Sequence, residues 1–308
     1  MKVARRRVLK LAAGSLALPV LSRIAMAETY PSRPAHIIVG IPPGGPTDIG
    51  ARLIGQWLSD RLGQPFVIEN RPGAATNIAT EAVAHAPPDG YTLLAAVGSN
   101  TINPALYNDL SFNFIRDIAM VGGVYRSALV LDVIPSLPVK TVPELIAYAR
   151  ANPGKVTLAS FGTGTVSHIA GELFKMTAGI TMVHVPYRGS APMMTDLLSG
   201  QVMAAFDNLP SSIGYIKDGR LRALAVTTAQ RWPALPEVPT LSDYQPGFEA
   251  STWIALAAPK STPTAIVDKL NSEINAGLAD PAMVARLADL GATPFVISPG
   301  ELDKMVVV

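Results

Sequence analysis

Residues 36–63 spell out one unit of a parallel α/β fold, and the chain repeats that unit. His36, Ile37, Ile38 and Val39 form a short apolar run of the kind buried in a parallel sheet. Gly40, Ile41, Pro42, Pro43, Gly44, Gly45, Pro46, Thr47 and Asp48 then make a glycine-rich turn. Ile49, Leu53, Ile54, Trp57, Leu58 and Leu62 recur at helical spacing, and Gly63 stops the helix. A turn of this kind brings unpaired N–H groups and the positive end of a helix dipole to the end of a strand, where they attract an anion. Asp48 or Thr47 can also cap that first turn. One such loop is ordinary turn chemistry; its recurrence is the informative part.

The loop 70–77 precedes a helix predicted over 78–86, with Thr76 or Asn77 as cap. Gly98, Ser99, Asn100 and Thr101 follow a strand over 91–97 and lead into a short turn around Pro104 to Tyr107. Further on, the loops 161–165, 186–192 and 208–211 each link a strand to a helix, the helices beginning at Val166, Met193 and Ser212. Strand–loop–helix order predicts mostly parallel sheets with helices on both faces. Ile118 to Val133 breaks the pattern: two apolar runs with no helix between them read as a long or broken strand leaving a first lobe for a second. Ser251 to Ala257 reads as the return crossing, followed by amphipathic helices over 264–278 and 282–290. Two crossings imply a hinge and a cleft where strand ends from both lobes meet. The expected division is 28–127 with 250–308 as lobe one and 128–249 as lobe two.

Charge is read after setting aside residues 1–27, which have the form of a cleaved signal peptide. Arg5, Arg6, Arg7 and Lys10 form a basic start, Leu11 to Leu21 a short apolar stretch, and Ala25-Met26-Ala27 a small-residue cleavage signal, so the mature chain is expected to begin at Glu28 in the periplasm. Arg6-Arg7 with the residues after them resembles the twin-arginine export motif. Six of the 25 Lys and Arg lie in this segment (Lys2, Arg5, Arg6, Arg7, Lys10, Arg23) and no acid does, leaving 19 basic against 23 acidic residues, a net of −4. Nucleic-acid binding therefore has no support. With no cysteine, disulfides, zinc–thiolate sites and thiol nucleophiles are excluded.

The loops end in small hydroxyl and amide side chains: Thr47, Thr76 with Asn77, Ser99, Thr163 with Thr165, and Ser190. Gathered across one cleft they would grip a small carboxylate without lysine or arginine. Each is equally suited to cap the helix behind it. Catalytic patterns are missing. Gly162 and Gly164 lack the third glycine of a dinucleotide loop, and there is no phosphate loop, Gly-x-Ser-x-Gly turn or His-Glu-x-x-His. His168, in the first turn behind a glycine loop, and the carboxylates Asp48 and Asp207 can face the cleft, so a secreted two-lobe enzyme with Asp48 or His168 as base is the rival reading. No cofactor or metal is expected.

Six ordered motifs carry a resemblance over nearly the whole mature chain: Pro42 to Asp48, Glu69 to Ala74, Pro88 to Thr92, Gly162 to His168, Val185 to Pro192 and Leu235 to Thr240. Together they resemble the receptor family of tripartite tricarboxylate transporters, also called the Bug family of extracytoplasmic solute receptors. The resemblance implies a two-lobe periplasmic binding protein fold (type II-like), each lobe a mostly parallel sheet flanked by helices, joined by two crossing strands. It implies a monomeric, non-catalytic receptor that closes on a di- or tricarboxylate, an acidic amino acid or an aromatic carboxylate and serves membrane permease subunits; a sensor kinase is the other partner considered. It places ligand contacts in the loops 42–48 and 185–192, with support from 162–168. That adds Pro43, Gly44, Gly45, Asp48, Gly164, His168, Tyr187 and Gly189 to the hydroxyl and amide residues above, and Asp207 reaches the same cleft. Two departures from the family pattern are Pro46, which removes an N–H and stiffens its loop, and the end at Val308, where relatives continue through another helix. The latter predicts an unpartnered apolar face near Met305 to Val308.

Overall fold

A computed structural model describes residues 30–307; the signal-peptide reading, the start at Glu28 and Val308 lie outside them. In chain order the elements are β1 (Ala35–Val39), α1 (Pro46–Leu62), β2 (Phe66–Asn70), α2 (Asn77–Ala84), β3 (Thr92–Val97), α3 (Ser99–Leu106), α4 (Phe114–Asp117), β4 (Ile118–Val133), α5 (Val142–Ala151), β5 (Thr157–Ser160) and α6 (Val166–Ala178). There follow β6 (Val183–Pro186), α7 (Ser190–Leu198), β7 (Ala204–Asn208), α8 (Leu209–Lys217), β8 (Arg222–Val226), β9 (Ser251–Pro259), α9 (Thr264–Leu278), α10 (Pro281–Asp289), β10 (Thr293–Pro294) and α11 (Pro299–Met305).

The strands run β2-β1-β3-β9-β4-β7-β5-β6, with β8 and β10 also pairing with β4. β1 is parallel to β2 and β3, and β5 is parallel to β6 and β7. The two crossing strands β4 and β9 are antiparallel to each other and to their neighbours. β4 is continuous, not broken. It pairs with β9 up to Ala128 opposite Ser251, then with β7 from Leu129 opposite Asn208. Thr227, just past β8, ties both crossings at that point: its hydroxyl donates to the Ala250 carbonyl at 2.6 Å, and its N–H donates to the Leu129 carbonyl at 3.0 Å.

Each half of the sheet has its own core. Ile37, Val39, Ile54, Leu58, Leu93, Leu270 and Ile274 fill one face of the first half, and Ile38, Val83, Leu94, Phe114 and Leu302 the other. In the second half Leu129, Leu131, Leu145, Phe174 and Phe206 pack on one face, with Val130, Leu209 and Ile213 on the other. This is the two-lobe architecture that alternating strands and helices predict.

The sequence misplaces several helix starts for one reason. α7 and α8 begin at Ser190 and Leu209, three residues ahead of expectation, because Pro192 and Pro210 sit in first turns. No intrahelical N–H is missed there, so proline is tolerated. The turn expected around Pro104 is the end of α3, which carries that proline inside it. At the C-terminus the apolar face is partnered: Leu302 and Val306 are buried against Phe114, Ile118 and Phe295, while Val307 stays exposed. A Ser298–Glu301 capping box fixes the start of α11.

Candidate functional site

Six helices begin at one cavity of about 690 Å³. Its wall includes Gly45 and Thr47 of the α1 start, Thr76 before α2, Gly98 and Ser99 of α3, Thr165 and Val166 of α6, Gly189 and Ser190 of α7, and Asn208 before α8. Five of the six had side-chain capping candidates in the sequence, but the structure caps only one of the six that way. Thr165 accepts from the His168 N–H at 3.4 Å, whereas α1, α2, α3, α7 and α8 have no side-chain cap. Gly45 and Gly189 stand at the N-caps of α1 and α7, and Thr47 lies inside the first turn. At those five starts the first-turn N–H groups have no side-chain cap, the Asn77 N–H of α2 donating instead to the Ala74 carbonyl. Each terminus carries roughly half a positive charge.

Backbone strain supports one wall. Ala74, Ala75 and Thr76 have φ of 45°, 52° and 80°, a left-handed run without glycine that costs roughly 1–2 kcal/mol per residue. The Asn103 amide donates to the Ala75 carbonyl at 2.7 Å and the Asn100 amide to the Thr76 hydroxyl at 3.0 Å, holding the run in place. Gly40 allows it to sit against β1, since a Cβ there would lie 2.7 Å from Thr76 Cβ. Strain of this sort is characteristic of ligand-holding segments.

Much of the remaining lining is apolar or aromatic: Phe161, the Tyr187 ring, Tyr107 and, on β9, Trp253 and Ile254, with Thr163 and Thr252 adding hydroxyls. Tyr125 of β4 donates its hydroxyl to the Pro46 carbonyl at 2.9 Å, fixing the α1 start. Tyr187 gives its hydroxyl to Asp196 at 2.7 Å; burial first, then that carboxylate, push it up to about 12. Among the described residues lining the cavity Arg188 is the only charged one, and no carboxylate faces in. Just behind the wall, Asp207 is fully buried and accepts from the Ser190 hydroxyl at 2.9 Å. Burial pushes its carboxyl up to about 7, against the opposing pull of Ser190, the Asn208 N–H and Ser211. Asp132 on β4 lies well above the ordinary carboxylate range, through burial and then the Asp207 charge.

His168, Glu172 and His184 bring ligating atoms within 4.8 Å of one another. The Gly164 N–H donates to His168 Nδ1 at 3.2 Å, which places the neutral ring's proton on Nε2 facing Glu172. A metal at that Nε2 needs the opposite tautomer. Lys175 meets Glu172 at 2.7 Å, and the two imidazoles stack 4.3 Å apart. The group reads as a support for the 162–165 loop.

Residues 50–307 match the family model described as tripartite tricarboxylate transporter family receptor. The chain belongs to that receptor family. BugT of Bordetella pertussis is 39% identical over 294 residues, covering 94% of this chain and 89% of that protein. Among solved structures, R. palustris Rpa4515 with adipate is 39% identical with a TM-score of 0.87, covering 90% of this chain and 94% of that one. MatC (Rpa3494) from Rhodopseudomonas palustris with bound malate is 31% identical with a TM-score of 0.85, covering 90% and 96%. The fold is that of the family's periplasmic binding proteins. The family is one of solute-binding receptors and not of enzymes.

In this tripartite tricarboxylate transporter family receptor, nine of the residues singled out from sequence line the cavity: Gly45, Thr47, Thr76, Ser99, Thr163, Thr165, Tyr187, Gly189 and Ser190. Pro43, Gly44, Asp48, Asn77, Gly164, His168 and Asp207 lie outside the lining. Pro43 and Gly44 sit at the exposed loop tip, and Asn77 accepts from the Asn103 amide at 2.6 Å. Asp48 does not cap its helix. Its carboxylate takes the Gly44 N–H at 3.0 Å, Arg52 Nε and Nη2 each at 2.9 Å and the Asn70 amide at 2.9 Å. Burial alone would raise it, but these bonds hold it below the usual carboxylate range. Its contribution is therefore present above the unfolded carboxylate pKa and lost as pH falls through the depressed one. Asp48→Asn is expected to cost about 1–2 kcal/mol at neutral pH and much less in acid, by urea denaturation, without reordering affinities among amino and non-amino carboxylates. A changed ranking would return Asp48 to the ligand.

Sequence reasoning missed the cavity floor. Thr252, Trp253 and Ile254 come from the return crossing, and only their place in a strand was visible. Arg188 and Asn208 fall in loops recognised as such, next to residues that were chosen.

Proposed function

We propose that this chain is a periplasmic receptor that captures a small carboxylate between its two lobes and presents it to the permease subunits of a tripartite tricarboxylate-type transporter. The carrying observation is the convergence of six helix N-termini, five without a side-chain cap, on one cavity that no carboxylate faces. Unpaired backbone N–H groups at helix starts bind carboxylates in low dielectric without a lysine or arginine cluster. The family membership and the adipate and malate in relatives' structures support the same reading. On it, residues 1–27 direct export, 28–127 with 250–308 form lobe one and 128–249 lobe two. The nine lining residues named above, helped by Arg188, Asn208 and Trp253, contact the ligand.

Calorimetry of the mature protein against a panel of dicarboxylates, acidic amino acids and aromatic carboxylates tests the reading. At least one is expected to bind, with less than a tenfold loss of affinity (~1.4 kcal/mol) on raising a non-competing salt from about 0.02 to about 1 M. Helix termini act at short range inside a closed cleft, where mobile ions do not screen them. A larger loss would show that the full charge of Arg188 dominates; no binding across the panel would defeat the receptor reading.

A further inference from the structure

Buried polar atoms without a hydrogen-bond partner concentrate at one place among the described residues. Of eleven such side-chain atoms, six lie beneath α7 and α8: both carboxyl oxygens of Asp132, Oδ2 of Asp207, Oδ1 of Asn208 and the hydroxyls of Ser211 and Ser212, which face Asp207 and Asp132 without reaching good hydrogen-bond geometry. The strand register explains the gathering. Val130 stands opposite Asp207 and Asp132 opposite Ala205, so both carboxyls leave the same face as diagonal cross-strand neighbours. Both side chains are fully buried.

Among the described residues no cation offsets them. Arg222 on β8 spends its guanidinium on the carbonyls of Val139 and Leu137. Lys217 lies exposed at the far end of α8. Asp196, the acid of α7, is turned to Tyr187, and β5 contributes no charged residue. Burial raises both carboxyls, and the charge on Asp207 raises Asp132 further, so ionising the second is disfavoured once the first is charged. Ser190 and the starts of α7 and α8 favour the charge on Asp207, which leaves the proton with Asp132.

Ser190 stands between this pair and the cavity, lining one and donating to the other at 2.9 Å. A ligand carboxylate at the α7 start and the charge on Asp207 therefore draw on the same donors from opposite sides. We propose that Asp132 and Asp207 form a proton-binding site coupled to the cavity, so that capture of a carboxylate draws a proton onto the pair. The inference rests on the receptor reading and adds its regulation. Binding raises the pair's proton affinity, so ligand affinity falls as pH rises through its titration. Asp132 is a positioning residue here; it reaches the ligand only through Asp207 and Ser190.

The test is calorimetry of the mature protein with malate and with adipate, in buffers of different ionisation enthalpy. Near neutral pH the expected uptake is about half a proton per ligand, with affinity falling about tenfold between about pH 6.5 and 8.5. In the double variant Asp132→Asn/Asp207→Asn both effects should vanish while affinity at the lower pH is kept, and in Asp132→Asn alone they should move to lower pH. If the double variant does not fold, that shift in Asp132→Asn decides the matter. Uptake that persists in the double variant, or that is unmoved in Asp132→Asn, has another source and overturns the proposal. Binding without proton uptake in the unaltered protein overturns it too and leaves the receptor reading standing. Failure of every carboxylate to bind would defeat both.

Discussion

Asp132→Val is expected to raise the stability of the protein by about 2 kcal/mol at mildly alkaline pH, roughly 5 °C in melting temperature, and by less in strong acid, where only the unpaired oxygens of a neutral carboxyl are removed. The sign follows from the raised carboxyl. In acid both folded and unfolded chains hold the proton, so the group adds no pH-dependent term. As pH rises through the ordinary carboxylate range the unfolded chain ionises first, and stability is lost until the folded pair titrates. Valine removes that loss and both orphaned oxygens, and it suits a strand whose neighbours at this point are Leu131, Val133 and, across the pair, Ala205. Thermal melts of both proteins across pH decide it. A gain that is equal at every pH would mean that packing, not ionisation, is responsible; a loss would mean that Asp132 has a partner that stabilises its charge.

Thr163→Asp is expected to weaken carboxylate binding by about a hundredfold while leaving the melting temperature in place. The residue is exposed and lines the cavity just ahead of α6, so a new carboxylate there incurs no burial. Placed before a helix start, the charge is neutral to favourable for the fold. Toward a bound anion about 5 Å away, it repels by ~3 kcal/mol at an effective dielectric near 20. Opposite effects on fold and ligand separate an anion site from a set of helix caps, which a change to alanine would not do. Thr163→Asn, equal in shape and neutral, should bind within a few-fold of the parent. Affinity for adipate or malate that survives the aspartate would show that the ligand's charge lies away from the α6 start.

The fold was legible because its signals are local. Apolar runs such as Ile37 to Val39, glycine turns and helical spacing all lie within about twenty residues of one another, and α1 and α9 came out close to their observed bounds. The candidate site was legible only in part, nine of the sixteen chosen residues lining the cavity, since helix starts carry glycine and hydroxyl residues whatever they bind. What escaped depends on contacts distant in the chain. Trp253 joins the cavity because β9 returns between β3 and β4. Asp48 turns from its helix to Arg52 and Asn70, and nothing in its loop shows that Asn70 ends a neighbouring strand. Asp132 is a lone acid in an apolar strand until the register sets it diagonal to Asp207.

Thr227 has a mechanical consequence. By tying Leu129 and Ala250 together on one side, while β4 and β9 stay zipped up to Ala128 and Ser251 on the other, it makes a narrow waist between the two halves, flanked by the Trp232–Gly291 hydrogen bond. Such a waist behaves as a door on two adjacent pins and not as a jaw on a cord: it swings along one arc and resists sliding and free rotation. The starts of α6, α7 and α8 then travel as a fixed set and meet those of α1, α2 and α3 at the same angle on each closure. On the proposed receptor function, discrimination among carboxylates would then rest less on the softness of individual loops than on the length a molecule must have to touch both leaves when the door is shut.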